Sequence, residues 1–356
     1  MEFSATEIPA VDDDKEGWSS DQDSFDDALW IRAAYGIIAV LGICGNCLVI
    51  FTIARVKSLQ NLTNFFIATL AATDFITSVF LIPLNMGIEI TVPSGTAGDL
   101  LCRLFLSKFP LWTSFVASVL NLTCVTLERY VGIMYPLRYT AIFTLRKAVI
   151  MVIFVWIIAF ITNIYMLYIF YEEDGSCSVS WPSKFVQVFD GVLNFVVIYF
   201  IPLVVMGFSY YRIMKNLREN ALKLKGQELS GTNDKMALEL LEARKKVVKM
   251  LATVVLTFAI CWAPNQFMFL AYNLGWNLDF RSWYYHVSVL MAFCNSCMNP
   301  FIYAFKNDRY RKALQKALFG KHCCTSRIGP DSASVSIVNT AIVNQKNMRK
   351  SSIGEN

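Results

Sequence analysis

Seven apolar stretches, each long enough to cross a bilayer as a helix, constrain the fold of this chain more than any other feature of its sequence. They run near residues 31–54, 65–90, 103–134, 148–170, 186–213, 246–273 and 283–305. A spanning helix needs about 20 mostly apolar residues, and only helices and closed barrels satisfy every backbone hydrogen bond in lipid. Charged residues make up 17% of the chain, against about 25% in soluble domains. The sequence therefore predicts an all-α membrane protein, a seven-transmembrane helix bundle.

The distribution of charge predicts which connections face the cytoplasm. Basic residues gather in alternate connections: Arg55 and Lys57, then Arg138, Arg146 and Lys147, then the run 212–249, and the segment from Lys306 onward. Such loops stay on the cytoplasmic side, so they set topology and do not indicate nucleic-acid binding. The first thirty residues instead hold ten acidic residues against Lys15 alone, without a basic start or an apolar core. We expect no cleaved signal peptide, and a multi-pass plasma-membrane protein with an extracellular N-terminus and a cytoplasmic C-terminus.

Polar residues and prolines inside the apolar stretches are the next signal, because polar groups are costly in hydrocarbon and tend to mark function. In chain order, these residues and one tryptophan are Asn46, Asp74, Ser118, Asn121, Glu128-Arg129-Tyr130, Trp156, Pro202, Tyr210, Cys261-Trp262-Ala-Pro264, Asn295 and Asn299-Pro300-Phe-Ile-Tyr303. Pro300 breaks the helical ladder beside two amides, which predicts a hydrated and kinked last helix.

Taken in this order over roughly residues 30 to 322, these residues resemble the rhodopsin-like (class A) G-protein-coupled receptors, and most of all the neuropeptide receptor group. The resemblance implies a receptor that binds an extracellular ligand and promotes nucleotide exchange on a heterotrimeric G protein. It also implies arrestin, a receptor kinase and membrane lipids as partners, and no enzymatic activity.

The family's activation switch falls on matching positions of this chain: Glu128, Arg129, Tyr130, Tyr210, Trp262, Pro264, Pro300 and Tyr303. The resemblance implies that Arg129 engages the G protein and that Glu128 is its resting partner. It implies that Trp262 lies beneath the ligand cavity. An arginine that only snorkels toward lipid headgroups, and residues that only pack or kink the helices, are the alternatives.

Four polar residues match the positions that hold a sodium ion and water in such receptors: Asp74, Ser118, Asn295 and Asn299. A carboxylate in hydrocarbon must be protonated, paired or given a cation. Asn295 and Asn299 lie one helical turn apart and can face it together. An allosteric Na⁺ on Asp74 and Ser118 is the only cofactor expected, and a purely structural polar bridge is the alternative.

Two of the ten cysteines, Cys102 and Cys177, lie outside the membrane in an oxidising environment. The resemblance implies that they form the disulfide between the third helix and the second extracellular loop. Cys323 and Cys324 follow an amphipathic basic stretch and are candidates for palmitoylation, with two reduced thiols as the alternative.

The expected organisation has four parts. They are an acidic flexible extracellular N-terminus at 1–30, the seven-transmembrane receptor domain at 31–306, a short amphipathic membrane-surface helix at 307–320, and a flexible cytoplasmic tail at 321–356.

The ligand class is narrowed by what the third and seventh stretches lack. No Asp lies between Cys102 and Glu128, so the counter-ion that aminergic receptors use is missing, and Phe293 stands where light-sensing opsins carry a lysine. The expected ligand-binding residues are Glu89, Gln187, Asp190, Asn194, Trp262, Asn265, Gln266 and Phe269. With the acidic loop at 172–174 they favour a basic neuropeptide; a solvated acidic face is the alternative.

Other function classes are a receptor for a non-peptide small molecule, a membrane transporter or channel, and an intramembrane enzyme. The sequence shows no internal repeat of the kind found in many transporters, which argues against that class. No two carboxylates face each other within a span, which argues against an intramembrane enzyme. Two departures from the family pattern stand out. Two extra residues and Pro110 lie between Cys102 and Glu128, and Arg244 replaces the acidic residue at the foot of the sixth helix. Arg129 is therefore expected to lack a lock to that helix.

Overall fold

The computed structural model describes residues 19–85, 91–226, 232–279 and 282–320. Its α-helices are α1 (Ser19–Arg55), α2 (Leu62–Asn85), α3 (Thr96–Leu101), α4 (Phe109–Met134), α5 (Pro136–Ile142), α6 (Leu145–Asn163), α7 (Met166–Ile169), α8 (Lys184–Asn194), α9 (Ile201–Gly226), α10 (Thr232–Leu274), α11 (Trp283–Lys306) and α12 (Asp308–Phe319). A 3-10 turn covers Lys57–Leu59, and π-helical turns cover Cys102–Leu106 and Phe195–Phe200. Strands β1 (Phe170–Glu173) and β2 (Ser176–Val179) form an antiparallel hairpin.

Seven helical segments are long and apolar enough to cross a membrane. The spans, first to seventh, are Leu29–Arg55, Leu62–Pro83, Thr96–Met134, Leu145–Ile169, Lys184–Leu222, Leu241–Leu274 and Trp283–Lys306. The predicted all-α, seven-helix membrane fold is confirmed. The prediction ran the second span on to residue 90, but α2 ends at Asn85 and residues 86–90 lie outside the described part.

The first helix begins earlier in the chain than the predicted boundary at residue 31. Helix α1 begins at Ser19, so the last part of the segment expected to be flexible is helical. Residues 1–18 and the predicted tail at 321–356, with Cys323 and Cys324, lie outside the described residues.

The first part of the third span is broken into two helices. The π-helical turn at Cys102–Leu106 ends at Ser107, and Lys108 takes the left-handed backbone conformation with a φ of 61°. Helix α4 then starts at Phe109 with Pro110 in its first turn, where the missing N–H of proline costs nothing because it would have no helical partner. A π-turn and a break accommodate extra residues without changing the register of the helix below.

The fifth span contains a second π-turn, at Phe195–Phe200, immediately before Pro202. Proline cannot donate to the helical ladder, and a widened turn on its N-terminal side relieves the clash of its ring. Tyr199, at the end of this turn, donates from its hydroxyl to Ala259 O of the sixth span at 3.0 Å. The irregular turn therefore positions a bond between the fifth and sixth spans.

Close packing joins the first and seventh spans. A Cβ atom on Gly45 would lie 2.9 Å from Pro300 Cγ, so only glycine fits without a shift. Next to it, the Asn46 amide donates to Ser296 O at 3.0 Å. These contacts hold the helix around Pro300 against the first span.

Helix α12 is the predicted short amphipathic helix. Tyr310, Ala313 and Ala317 form its buried face, while Leu318 and Phe319 are exposed. The Asn307 side chain accepts from Tyr310 N and caps the helix start. Its buried face packs on α1 and α11.

Candidate functional site: a cavity, a polar cluster and a cytoplasmic network

The C-terminal end of the third span carries a dense ionic network. Arg129 Nε and Nη2 donate to the two carboxylate oxygens of Glu128 at 2.6 and 2.5 Å. The Tyr139 hydroxyl donates to Glu128 Oε1 at 2.5 Å, and the Thr63 hydroxyl donates to it at 3.1 Å. Arg129 Nη2 also contacts Thr63 Oγ1. Glu128 has no solvent exposure, so the carboxylate is buried with four donating groups, an arrangement that compensates its desolvation.

Two members of this network, Thr63 and Tyr139, were missed by the sequence reasoning. Thr63 lies in the first turn of α2 and Tyr139 lies in α5, and no spacing rule links them to Glu128. Burial and the bond to the carboxylate raise the pKa of Tyr139, so its hydroxyl keeps its proton. Tyr130 does not join the network; its ring lies 6.1 Å from that of Tyr135.

Arg129 makes no hydrogen bond to the sixth span among the described residues, and Arg244 is exposed. The bonds that reach Arg129 come from the second and third spans instead. Tyr210 and Tyr303 are buried, and the Tyr303 hydroxyl has no hydrogen-bond partner within the described ranges.

A polar cluster around Asp74 lies between the second, third and seventh spans. The Ser118 hydroxyl donates to Asp74 Oδ1 at 2.6 Å, and Asn299 Nδ2 donates to Asp74 Oδ2 at 2.8 Å. Asn295 is also buried, but it makes no described bond to Asp74, and its Oδ1 and that of Asn299 lack partners among the described residues. Three of the four predicted residues are thus joined directly.

The oxygens of this cluster fit a hard monovalent cation. One carboxylate, one hydroxyl and two unpartnered amide oxygens are the ligand types that such ions prefer. Within the described ranges, no group of three or more His, Cys, Asp or Glu residues could hold a metal ion. Sodium, which needs only one carboxylate and neutral oxygens, is the ion that the donor set suits.

A cavity of about 250 Å³ opens between the extracellular hairpin and Trp262. Five of the predicted ligand residues line it: Asn194, Trp262, Asn265, Gln266 and Phe269. Trp262 forms its floor; it is 1% exposed and meets the ring of Phe115 edge-on at 4.9 Å. Phe115 in turn contacts Phe293 at 4.8 Å between ring centroids. An aromatic stack therefore connects the third, sixth and seventh spans directly below the cavity.

Three predicted ligand-binding residues remain: Asp190, Gln187 and Glu89. Asp190 and Gln187 do not line this cavity; Gln187 accepts from Lys184 at 3.2 Å on the surface. Asp190 Oδ2 is buried without a partner among the described residues. Glu89 lies outside the described residues. Lining residues that the sequence reasoning did not name are Trp112, Asn163, Tyr165, Met166 and Tyr272, and only the folded chain brings them together.

A disulfide and hydrogen bonds from backbone amides hold the loops at the mouth of the cavity. Cys102 and Cys177 form the expected disulfide, with Cα atoms 5.6 Å apart. The Glu172 carboxylate accepts from Gly95 N at 3.0 Å and from Gly175 N at 2.9 Å, and these bonds lower its pKa. The carboxylate is therefore held in place by backbone donors of two loops and keeps its negative charge.

Comparison with known proteins shows which family the chain belongs to. A family model of the rhodopsin-family seven-transmembrane receptors matches residues 45–303. The chain belongs to this family. It is 29% identical over 303 residues to the rat pyroglutamylated RF-amide peptide receptor, covering 80% of this chain and 69% of the relative. The substance-P receptor of Aquarana catesbeiana is 33% identical over 292 residues, covering 80% and 69%. Galanin receptor 2a of Danio rerio is 30% identical over 299 residues, covering 82% and 78%.

Family membership makes the chain a multi-pass membrane receptor, and the family is not one of enzymes. The matched segment begins at Gly45 and ends at Tyr303. It contains the Asp74 cluster, the cavity and the network around Glu128. The three sites therefore belong to the receptor's family core.

Proposed function

We propose that this receptor is activated by an extracellular peptide carrying basic residues and then promotes nucleotide exchange on a heterotrimeric G protein. The observation that carries the proposal is the cavity between the extracellular hairpin and Trp262. Its wall is polar and aromatic, and its floor lies in the receptor's interior. Of the relatives described above, one is named as a receptor for a pyroglutamylated RF-amide peptide, and the others as receptors for substance P and galanin. The N-terminus is then extracellular, in keeping with its acidic composition.

The cavity is small for a whole ligand. Its volume of about 250 Å³ lies below the roughly 300–1,000 Å³ of ordinary small-molecule sites. One end of a peptide would fill it while the rest of the peptide stays at the hairpin and loops. Asn194, Asn265 and Gln266 would pair with backbone or terminal amide groups, because buried amides need hydrogen-bond partners.

Asp190 would attract a basic side chain of the peptide. One oxygen of its carboxylate is buried without a partner among the described residues, and a partly desolvated carboxylate gains more from a cation than an exposed one does. Asp190 lies one helical turn from the cavity residue Asn194. A cationic residue next to the inserted end of the peptide would reach it.

Transmission would use the contacts below the cavity. A ligand that moves Trp262 also moves Phe115 and Phe293, and a packed interior shifts between discrete arrangements. The Asp74 cluster would bind Na⁺ in the resting receptor. Arg129 would leave Glu128 to engage the G protein, while Tyr210 and Tyr303, whose hydroxyls are buried, would find new partners. Tyr130, Pro264 and Pro300 would complete the switch.

The cytoplasmic face would also recruit arrestin and a receptor kinase. The amphipathic face of α12 would lie on the inner leaflet, and palmitoylation of Cys323 and Cys324 would add a second anchor.

The test is guanine-nucleotide exchange in membranes that contain the full-length receptor and a panel of G-protein α subunits, screened with a library of basic neuropeptides. We expect agonists in this library, and we expect Arg129→Ala to abolish exchange while keeping peptide binding. Asp190→Asn should weaken basic agonists by roughly tenfold or more, mainly by faster dissociation. The control Asp279→Asn, at the sixth-to-seventh connection, should have a smaller effect.

Other outcomes decide between the alternatives. A response only to neutral or anionic non-peptide molecules, with Asp190→Asn silent, would defeat the basic-peptide proposal and leave the receptor intact. Solute flux or ion current without nucleotide exchange would favour a transporter or channel.

A further inference from the structure

The N-terminal half of the sixth span receives no hydrogen bond from Arg129 within the part of the chain that the structure describes. Arg129 is held by Glu128 and Thr63, and Arg244, at the foot of this span, is exposed. A cation at that position cannot pair with the Arg129 guanidinium, because like charges repel. A restraint on this half of the span must therefore come from another residue.

A lysine of the seventh span makes a hydrogen bond to this segment. Lys306 Nζ donates to Thr253 Oγ1 at 2.8 Å, and the Thr253 hydroxyl donates in turn to Lys249 O at 3.0 Å. A hydroxyl has one hydrogen and two lone pairs. The bond to Lys249 O directs that hydrogen along the helix of Thr253 and leaves a lone pair for the ammonium. Thr253 is thus oriented as an acceptor.

The backbone around Lys306 is fixed on the side that follows it. Lys306 is the last residue of α11. Asn307 N donates to Tyr303 O at 3.0 Å, and the Asn307 side chain accepts from Tyr310 N at 3.1 Å. The same asparagine therefore ends α11 and caps α12. A lysine with an anchored backbone has less conformational freedom to lose when its ammonium is held, which favours the bond to Thr253.

Pro264 lies inside the sixth span, between Thr253 and the cavity residues Asn265 and Gln266. Proline removes a backbone donor from the helical ladder, and helices bend where this happens. The segment that carries Thr253 can therefore change its angle to the cavity as one body. A hydrogen bond is lost beyond about 3.5 Å, so a small swing away from the seventh span breaks the bond to Lys306.

We propose that Lys306 is a positioning residue that restrains the sixth span of the resting receptor through Thr253, and that activation breaks this bond. The inference rests on the proposed coupling to a G protein, whose regulation it describes. Lys306 is exposed, so the bond should shift the equilibrium between resting and active receptor by roughly two- to fivefold, as exposed charged pairs do.

The experiment measures ligand-independent nucleotide exchange on a panel of G-protein α subunits, with the full-length receptor at matched surface expression. Lys306→Met, which keeps an unbranched stem and removes the charge, should raise the basal rate roughly two- to fivefold, and so should Thr253→Val. Lys306→Arg and Thr253→Ser keep the donor and the acceptor and should leave the rate unchanged. The double variant Lys306→Met with Thr253→Val should show no further rise, because both changes remove the same bond.

Two matched controls separate this bond from a general loss of charge or of a hydroxyl. Lys312→Met removes an exposed cation of α12. Thr257→Val removes a hydroxyl one turn farther along the sixth span, which donates at 3.0 Å to Thr253 O, a carbonyl of its own helix. Neither change should alter the basal rate.

A second measurement needs neither a ligand nor a G protein. Nitroxide labels are introduced as non-natural residues at the exposed positions of Arg244 and Lys312 in the purified full-length receptor. Double electron–electron resonance then gives the distribution of distances between the sixth span and α12. Lys306→Met should increase the population at longer distances roughly two- to fivefold, and Lys306→Arg should not.

Three results would overturn the proposal. They are unchanged rates and distances in both Lys306→Met and Thr253→Val, additive effects of these two changes, and a basal rate that Lys306→Met lowers without any change in distance. The last result would assign Lys306 to a contact with the G protein. Distances that shift as expected in a receptor that promotes no nucleotide exchange would support the restraint and defeat the proposed function.

Discussion

Removing the Tyr139 hydroxyl tests whether the network around Glu128 restrains the receptor. In the structure this hydroxyl donates to Glu128 Oε1 at 2.5 Å, and Glu128 is fully buried. Tyr139→Phe deletes one donor to the carboxylate without changing the shape of the ring. The carboxylate is then left less well satisfied in the resting arrangement, in which Arg129 lies beside it.

The size of the effect follows from the kind of bond that is lost. A hydrogen bond to a charged group contributes about 1.5–3 kcal/mol, and Tyr139 is only half-buried, so the low end, about 1.5 kcal/mol, applies. Each 1.4 kcal/mol changes an equilibrium about tenfold. A receptor that is active about 1% of the time without ligand should become active about 10% of the time.

The assay is ligand-independent nucleotide exchange at matched surface expression. We expect Tyr139→Phe to raise the basal rate about tenfold. Tyr211→Phe is the control, because Tyr211 is 65% exposed. Burial raises the pKa of Tyr139 above its ordinary value, so its hydroxyl stays neutral between about pH 6 and 9. Titration of this group should therefore not change the basal activity in that range. A basal rate equal to that of the unmodified receptor would refute the restraint.

Three further predictions concern the extracellular and central ties. Replacing Cys102 or Cys177 by Ser should reduce surface expression and ligand binding, because the bond closes a separation of 75 residues and such loops contribute about 4 kcal/mol; both thiols found alkylated in the unreduced receptor would contradict it. Asp74→Ala should abolish the sodium dependence of agonist affinity, and an unchanged sodium response would exclude the ion site. The pKa of Glu172 is lowered by two backbone donors, so its contribution is present above the ordinary value of 4.5 and is lost as pH falls through the lowered one. Amide exchange should therefore show loss of hairpin protection in Glu172→Ala at neutral pH, and in the unmodified receptor only at acid pH. The control is Glu173→Ala, and an equal loss of protection in that variant would argue against a role for the Glu172 bonds.

Some parts of the site could be predicted because the residues are costly where they lie. Asp74 and Asn299 are polar groups in apolar stretches, and each finds its partner across the bundle as expected. The disulfide was implied by family resemblance and is present. Glu128 and Arg129 are neighbours in the chain, so their pairing needed no tertiary information.

Other parts required the folded chain. Thr63 and Tyr139 reach Glu128 from positions 65 and 11 residues away, and neither carries a pattern that marks it. Glu172 looked like a free surface charge, yet it accepts from two backbone amides whose position depends on the hairpin and on Gly95.

The sequence by itself determined the number of spans, the fold class and the family, because hydrocarbon forces long apolar helices and penalises every polar residue within them. Only the tertiary structure decided how the third span breaks at Lys108, which polar atoms remain without partners, and where the cavity above Trp262 lies. Those features depend on the distance between side chains from different helices. Helix periodicity sets which face a residue occupies, but the packing of the neighbouring helix decides what that face meets.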